Sequence, residues 1–167
     1  MHYVMLGMLA MLLGQVCAAQ AAEPLPLPKG PILLSVSGKI ERTNVGNEAQ
    51  FDRDMLEALG QASITTASIL SKKKQLFEGV FLRAILERVG ASGTSMSASA
   101  LNSYKIDIPL EDLKYDPIVA MRVDGQVLKL RDKGPLWIVY PRDAYGALQT
   151  QAYDSRWIWQ LNKLRVD

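Results

Sequence analysis

The chain has 167 residues, a formal net charge of +2 and 49% hydrophobic residues, which suits one ordinary globular domain with its own core. The small net charge excludes the basic footprint of a nucleic-acid-binding protein. The only histidine, His2, and the only cysteine, Cys17, both lie in the first 22 residues. A chain cleaved after them lacks the usual ligands for zinc, copper or haem, and the imidazole or thiolate that Ser-His-Asp and Cys-His hydrolases need.

Residues 1–22 have the pattern of a secretion signal peptide. The apolar run at residues 3–13 is too short to span a bilayer, and the small residues that follow provide cleavage positions near Ala21 or Ala22. No twin-arginine pair precedes the apolar run, so we expect Sec-type export of the unfolded chain. The predicted location is the periplasm, and no transmembrane segment is expected in the mature chain.

The rest of the chain is predicted to be a proline-rich arm, residues 23–31, followed by a single domain, residues 32–167. Four prolines exclude a helix from the arm. In the domain, strands are predicted over 32–40 and 61–68, where β-branched residues are frequent. Apolar periodicity predicts helices over 51–59 and 80–89, which end at Gly60 and Gly90. The three lysines at 72–74 are predicted to lie in an exposed loop.

The second half is predicted to consist mainly of strands. Residues 92–99 are small and polar, and a strand is predicted to follow at 101–109. Residues 118–123 and 126–130 flank Asp124-Gly125, a two-residue turn in which both positions need a positive φ. A continuous apolar strand over 136–140 and a mixed strand over 157–166 complete the domain. Many short strands, two or three short helices and no βαβ alternation predict an α+β fold.

Four segments of this domain carry short motifs whose order and spacing together are more specific than any one motif. They are F-E-G-V-F-L at residues 77–82 leading to Gly90, N-S-Y at 102–104 running into I-P-L, residues 120–125, and R-D-K-G-P-L-W-I-V-Y-P at 131–141. In this combination the chain resembles the molybdopterin-binding domain of the sulfite oxidase family. The resemblance implies a mixed α+β fold of sheets or a barrel that holds the pterin of the molybdenum cofactor, with one cysteine upstream of F-x-G-V as the metal ligand.

The cysteine of that family is missing here. The residues at its expected place are Thr65, Thr66, Ala67 and Ser68, and a hydroxyl group cannot replace a thiolate as a soft anionic ligand at neutral pH. Export of an unfolded chain agrees, since cofactor-loaded enzymes cross the membrane folded. We therefore expect no molybdenum and no obligatory cofactor, and we expect a pocket that takes a free reduced pterin as its ligand.

In its length, its missing cysteine and its Trp-rich end, the chain resembles a cysteine-less, periplasmic subgroup of this fold. The resemblance implies a non-enzymatic pterin-binding protein. Such a protein relays pterin levels to the periplasmic domain of an inner-membrane cyclic-di-GMP enzyme or sensor kinase. Two alternatives are a molybdopterin-dependent oxidoreductase of the sulfite oxidase family and a ligand-free scaffold protein.

A pterin is a flat polar heterocycle, which needs an aromatic or guanidinium face and fixed donors and acceptors at its edge. Tyr153, Arg156 and Trp157 combine these features in one polar aromatic segment and are predicted to contact the ligand. Asn102 and Tyr104 lie at a predicted strand start, where the family places cofactor contacts. Strand-end capping explains these two residues equally well.

Further ligand candidates lie in the loop that faces the pterin in the resembling family. There Arg131 would donate to the pterin carbonyl, and Lys133 lies beside it. Asp132 in this loop, or Glu78 in the F-E-G-V-F-L segment, would accept from the N–H groups of the pterin. A solvated turn is the alternative for this charge run. Thr66 marks the vacated metal-ligand region, although β-propensity alone also explains it.

Two predictions concern the surroundings of this site. Trp137, inside an apolar strand, is predicted to be core packing. The loop over residues 144–151 contains Gly146, and we expect no apolar side chain to pin it. It is therefore predicted to be mobile and to become ordered when a pterin stacks at Tyr153 or Trp157, which would create a docking surface for the partner.

Overall fold

Two five-stranded sheets and three short α-helices make up residues 23–167, the part of the chain that the structure, a computed structural model, describes. This confirms the predicted α+β class, with open sheets. The strands are β1 (Leu34–Gly38), β2 (Ala49–Phe51), β3 (Ala62–Ser68), β4 (Ser71–Phe81), β5 (Ser95–Ala100), β6 (Lys105–Pro109), β7 (Ile118–Val123), β8 (Gln126–Val127), β9 (Trp137–Val139) and β10 (Leu161–Val166). The helices are α1 (Arg53–Glu57), α2 (Leu82–Val89) and α3 (Gln151–Asp154). Within these residues no helix has the length and apolar character to cross a bilayer. The predicted signal peptide lies outside the described residues.

The first sheet has the order β2-β1-β10-β5-β6, so the strand closest to the C-terminus lies at its centre. β10 pairs in parallel with β1 and antiparallel with β5. Gly38 ends β1 with a φ of +89°, and a Cβ added there would lie 2.0 Å from the carbonyl oxygen of Val166. Glycine is therefore required where β1 and β10 approach each other.

The second sheet has the order β3-β4-β7-β8, with β9 also paired to β7. β7 and β8 form the predicted hairpin, in which Asp124 and Gly125 have φ values of +49° and +76°. All three residues of β9 are buried, as its continuous apolar sequence predicts. β4 pairs with β7 only from Phe77 onward, so its first half pairs with β3 alone and forms a two-stranded extension of the sheet.

Buried side chains from both sheets form one hydrophobic cluster. Its aromatic part contains Phe77, Trp137 and Trp157, whose rings meet edge to face with centroids 5.3 to 5.9 Å apart. This geometry is favoured by the quadrupoles of aromatic rings. The predicted core packing of Trp137, which is 3% exposed, is confirmed.

β6 and β10 begin at Lys105 and Leu161, later than the predicted starts at 101 and 157, and three other strands, β2, β4 and β5, were not predicted. The lysines at 72–74 are exposed as expected, but they lie in β4 and not in a loop. β5 has the sequence S-M-S-A-S-A and is mostly buried between β10 and β6, where small side chains fit. β2 has only three residues. Tertiary pairing decides these strands, because their intrinsic β-propensity is weak.

Both predicted helices are shorter than expected, and each is shortened by a neighbouring strand. Phe51 pairs with Leu34 in the first sheet, and α1 begins only after Asp52, whose side chain caps it. Val80 and Phe81 pair with β7, so α2 begins at Leu82. α2 ends at a left-handed glycine with φ of +65°, as predicted.

The proline-rich arm has no helix or strand, as expected, but it is packed against the domain. Leu25 is buried, and Arg88 donates to the carbonyl oxygens of Glu23 and Pro24 over 2.9 Å each. The Asp52 carboxylate accepts from the N–H groups of Lys29 and Gly30 at 2.7 and 2.9 Å, besides capping α1. The arm is therefore part of the folded domain.

The expectation that no apolar side chain pins residues 144–151 is wrong. Leu148 in this segment is fully buried and belongs to the hydrophobic cluster. Its N–H donates to the Tyr145 carbonyl oxygen at 3.0 Å, within a short 3-10 turn, and α3 follows at once. A buried leucine and a local turn hold this loop against the core.

Candidate functional site

A cleft of about 300 Å³ opens beside the tryptophan-rich segment before β10. It lies between this segment, the turn that joins β5 to β6, and the tip of the β3–β4 hairpin. We call it the aromatic cleft. Its lining, mostly apolar, consists of Ile69, Ala100, Asn102, Tyr104, Asp154, Ser155, Trp157, Ile158 and Trp159. Its volume is at the lower end of the range for small-molecule sites.

Polar groups lie at fixed positions in this cleft. The Tyr104 hydroxyl donates to the Ser155 carbonyl oxygen at 3.3 Å, and the Tyr104 N–H donates to the Asn102 side-chain oxygen at 3.0 Å. Asp154 accepts from Arg142 at 3.0 Å. Trp157 is 3% exposed, and its indole Nε1 has no hydrogen-bond partner among the described residues. Aromatic walls combined with oriented polar groups suit a flat, polar ring.

A buried ion pair supports one wall of the cleft without lining it. Arg156 donates to the Asp112 carboxylate at 2.6 Å, and the Tyr140 hydroxyl donates to the same oxygen at 2.9 Å. The guanidinium also lies 4.6 Å from the ring centre of Tyr153. Burial, together with the nearby Asp112 carboxylate, raises the pKa of the Tyr140 hydroxyl far above its usual value, so this hydroxyl remains a donor.

The structure therefore divides the predicted ligand residues among several places. Asn102, Tyr104 and Trp157 line the aromatic cleft. Tyr153 and Arg156 face the buried Asp112 and do not line it. No sequence pattern indicates Asp112, because its partner Arg156 lies 44 residues away in the chain.

Thr66 and Glu78 lie outside the cleft. Thr66 is 1% exposed, and its hydroxyl accepts from the Asp143 N–H at 3.1 Å and donates to the Ala67 carbonyl oxygen at 3.3 Å. Glu78 lies opposite Arg122 on the neighbouring strand and lines a different, polar cavity. Both residues have structural surroundings that account for them.

Arg131, Asp132 and Lys133 form a turn on the surface, away from the cleft lining. Arg131 and Asp132 are exposed, and the Arg131 Nε lies 3.4 Å from the Asp132 Oδ2. The Lys133 ammonium lies 5.2 Å from the ring centre of Trp137, and both residues line a second cavity of about 270 Å³. The solvated-turn interpretation fits Arg131 and Asp132, and Lys133 has a cation–π contact.

Six residues that line the cleft were not among the predicted ligand contacts: Ile69, Ala100, Asp154, Ser155, Ile158 and Trp159. Trp159 lies two residues after Trp157 in the chain. The centre of its ring lies 6.5 Å from the centre of the Trp137 ring. Ser155 contributes a backbone carbonyl group, which no sequence pattern reveals. Ile69 comes from the tip of the β3–β4 hairpin, which was not predicted as a hairpin. The available signal for Trp159 was the concentration of tryptophan in the last third of the chain.

The donor groups of the described residues do not fit a thiolate-bound molybdenum ion. Residues 23–167 contain no cysteine or histidine. Thr66, at the expected place of the metal ligand, uses its hydroxyl in two protein hydrogen bonds. In the same part of the chain there is also no group of three or more Asp, Glu, His or Cys side chains placed to hold a metal ion.

No family model matches the chain, and no curated protein matches it. Among solved structures it is similar to the crystal structure of the sulfane dehydrogenase SoxCD from Paracoccus pantotrophus. The TM-score is 0.61 at 16% sequence identity, and the match covers 80% of this chain and 37% of the other. This chain thus spans little more than a third of that protein. The likeness shows the fold alone, and it is consistent with the fold that the resemblance implies.

Proposed function

We propose that this protein binds a free reduced pterin in the aromatic cleft, without molybdenum, and relays pterin availability to a membrane-bound signalling protein. One observation carries the proposal: the cleft brings together Asn102 and Tyr104, from the turn between β5 and β6, with Trp157 from a distant segment, and all three were predicted as ligand contacts. The fold that the domain shares with the sulfane dehydrogenase SoxCD agrees with the sequence resemblance to a domain that holds a pterin.

The cleft offers the two kinds of contact that a pterin needs. Trp157 and Trp159 supply aromatic surface, and aromatic contacts of this kind contribute about 0.5–1.5 kcal/mol beyond the burial of area. The Asn102 amide and the Tyr104 hydroxyl are two of the polar groups that line it. An amide side chain both donates and accepts, which matches the alternating donors and acceptors of the pyrimidinone ring.

Binding can be tested by calorimetry with tetrahydroneopterin under anaerobic conditions. We expect Asn102→Ala and Trp159→Leu each to weaken binding about tenfold or more, because a lost hydrogen bond or stacking partner costs about 1–3 kcal/mol. Asn47→Ala, at an exposed asparagine in the turn between Val45 and Glu48, is the matched control and should leave the affinity unchanged. Unchanged affinity in both cleft variants would show that the ligand binds elsewhere.

Metal analysis separates the proposal from an oxidoreductase of the sulfite oxidase family. Stoichiometric molybdenum in protein purified from its native compartment would overturn the proposal in favour of that enzyme. If no pterin co-purifies and none binds in titration, the ligand-free scaffold is the remaining alternative.

The signalling partner that we propose is the periplasmic domain of an inner-membrane cyclic-di-GMP enzyme or sensor kinase. A ligand can transmit a signal only if the free and bound states differ in affinity for the partner. Since Leu148 pins the loop of residues 144–151, the β3–β4 hairpin tip at Ile69 is the more exposed element that a ligand in the cleft would touch. Pull-downs with and without tetrahydroneopterin test this; equal capture in both would reject ligand-gated docking.

A further inference from the structure

The tip of the β3–β4 hairpin presents two large aliphatic side chains to solvent. Ile69 and Leu70 form a two-residue turn, closed by the pairing of Ser68 with Ser71, and each is 49% exposed. The Ser68 hydroxyl oxygen accepts from the N–H groups of Leu70 and Ser71 at 3.2 Å each. These bonds hold the turn, so the two apolar side chains are kept at the outermost point of the hairpin.

This turn departs from the residues that such turns favour. Hairpin turns are rich in Gly, Asn and Asp, whereas this turn consists of two large aliphatic residues. Ile69 and Leu70 gain little by burial in the folded domain, since half of each remains exposed. Exposed apolar residues that depart from the local turn preference, and gain no packing by doing so, are expected at functional sites of a protein.

A second hairpin tip lies across the cleft from the first. In the turn between β5 and β6, Leu101 is 49% and Tyr104 is 46% exposed. Ile69 and Tyr104 line the same cleft, so the two tips flank its mouth. We call Ile69, Leu70, Leu101 and Tyr104 the cleft rim.

Cations lie next to the cleft rim on both hairpins. Lys72, Lys73 and Lys74 follow Leu70, and Lys105 follows Tyr104; all four are exposed. Lys74 lies 3.7 Å from the Asp143 carboxylate. Lys72 and Lys105 take part in none of the ion pairs found within residues 23–167, so their charges remain available to a partner.

We propose that the cleft rim docks onto an anionic phospholipid surface. In this arrangement Ile69 and Leu70 enter the boundary between headgroups and acyl chains, Tyr104 lies at headgroup level, and Lys72 and Lys105 contact lipid phosphates. Apolar insertion combined with nearby cations is the general basis of peripheral membrane binding. Docking would turn the mouth of the cleft toward the membrane. This proposal is independent of pterin binding.

Vesicle co-sedimentation tests the proposal with the exported protein and no added pterin. We expect binding to vesicles of phosphatidylglycerol and phosphatidylcholine, weaker binding to phosphatidylcholine alone, and loss of affinity at high salt. Lys72→Gln with Lys105→Gln should weaken binding about fivefold for each lysine. Ile69→Ser with Leu70→Ser should weaken it about tenfold, because less apolar surface enters the lipid.

Matched controls carry the same changes at other exposed places. Lys39→Gln with Lys129→Gln removes the same charge, and Leu27→Ser with Leu130→Ser removes aliphatic groups that are 66% and 58% exposed. Both control proteins should bind vesicles like the unchanged protein. The proposal is overturned if rim and control variants bind equally, or if no variant binds anionic vesicles. Absent vesicle binding, with a dimer that Ile69→Ser and Leu70→Ser disrupt in light scattering, would instead assign the rim to a second copy of the chain.

Discussion

Arg156 supports the wall of the aromatic cleft and does not itself face the ligand space. Its guanidinium lies between the Asp112 carboxylate and the Tyr153 ring, and the Arg156 and Asp112 side chains are only 18% and 5% exposed. Ser155 and Trp157, its neighbours in the chain, both line the cleft. The ion pair therefore affects the cleft indirectly, because it holds the backbone between Ser155 and Trp157 in place.

We expect Asp112→Ala to lower the free energy of unfolding by about 3 kcal/mol, because it leaves a buried guanidinium and the Tyr140 hydroxyl without their acceptor. The same substitution should weaken tetrahydroneopterin binding, although Asp112 does not line the cleft. Urea denaturation and calorimetry measure the two effects. Asp132→Ala, in the exposed pair with Arg131, is the control and should change stability by less than about 1 kcal/mol. Equal stability of the two variants would contradict this role for Asp112.

Asp52 links the arm to α1 through one carboxylate. Hydrogen bonds from the N–H groups of Met55, Gly30 and Lys29 hold its pKa below the ordinary value of 3.8. A depressed pKa in the folded state means that the stabilisation is present above about pH 3.8 and is lost as the pH falls through the folded-state pKa. Stability at neutral pH therefore includes this contribution in full.

We expect Asp52→Ala to destabilise the domain by about 1–2 kcal/mol at pH 7, as for other lost helix caps. The difference from the unchanged protein should shrink as the pH is lowered below about 3.8, because protonation removes the same interaction. Denaturation at several pH values measures it, with Asp54→Ala, an exposed acid in the first turn of α1, as the control. A difference that stays constant down to pH 3 would be inconsistent with the carboxylate as the cause.

At the scale of elements, the junction of β1 and β10 depends on one glycine. Gly38 and Gly46 both have positive φ values, +89° and +56°, but only at Gly38 would a Cβ meet the backbone of a neighbouring strand. Gly46→Ala should cost about 1 kcal/mol for backbone strain alone. Gly38→Ala should cost at least about 2 kcal/mol more, because Val166 must also move. Thermal unfolding of the two variants compares them, and equal losses would mean that the close approach is unimportant.

Sequence patterns correctly predicted those elements whose structure is determined locally, by their own residues. The turn at Asp124-Gly125, the apolar strand β9 and the end of α2 at Gly90 are such cases. β4 and β5 were not predicted, because the lysines of one and the small residues of the other become strands only through their partners. The candidate site follows the same division: Asn102, Tyr104 and Trp157, which the sequence analysis proposed as ligand contacts, line one cleft. The pairing of Arg156 with Asp112 was not predicted, because it depends on the tertiary fold.

At the scale of the whole molecule, the cleft is assembled from three segments that are distant in sequence. Residue 69 comes from the second sheet, residues 100–104 from the first, and residues 154–159 from the connection that leads into β10. A ligand in the cleft would thus contact both sheets at once. Binding energy would then stabilise the domain as a whole, by mass action on the folded state.

The central position of β10 also sets an order of events during synthesis. β1 is made early, yet the strand beside which it lies in parallel comes about 125 residues later, so the first sheet cannot close until residues near 166 have left the ribosome. The second sheet does not share this delay, because all of its strands lie within residues 62–139. A first sheet that closes only at the end of synthesis would suit the Sec-type export that the first 22 residues predict.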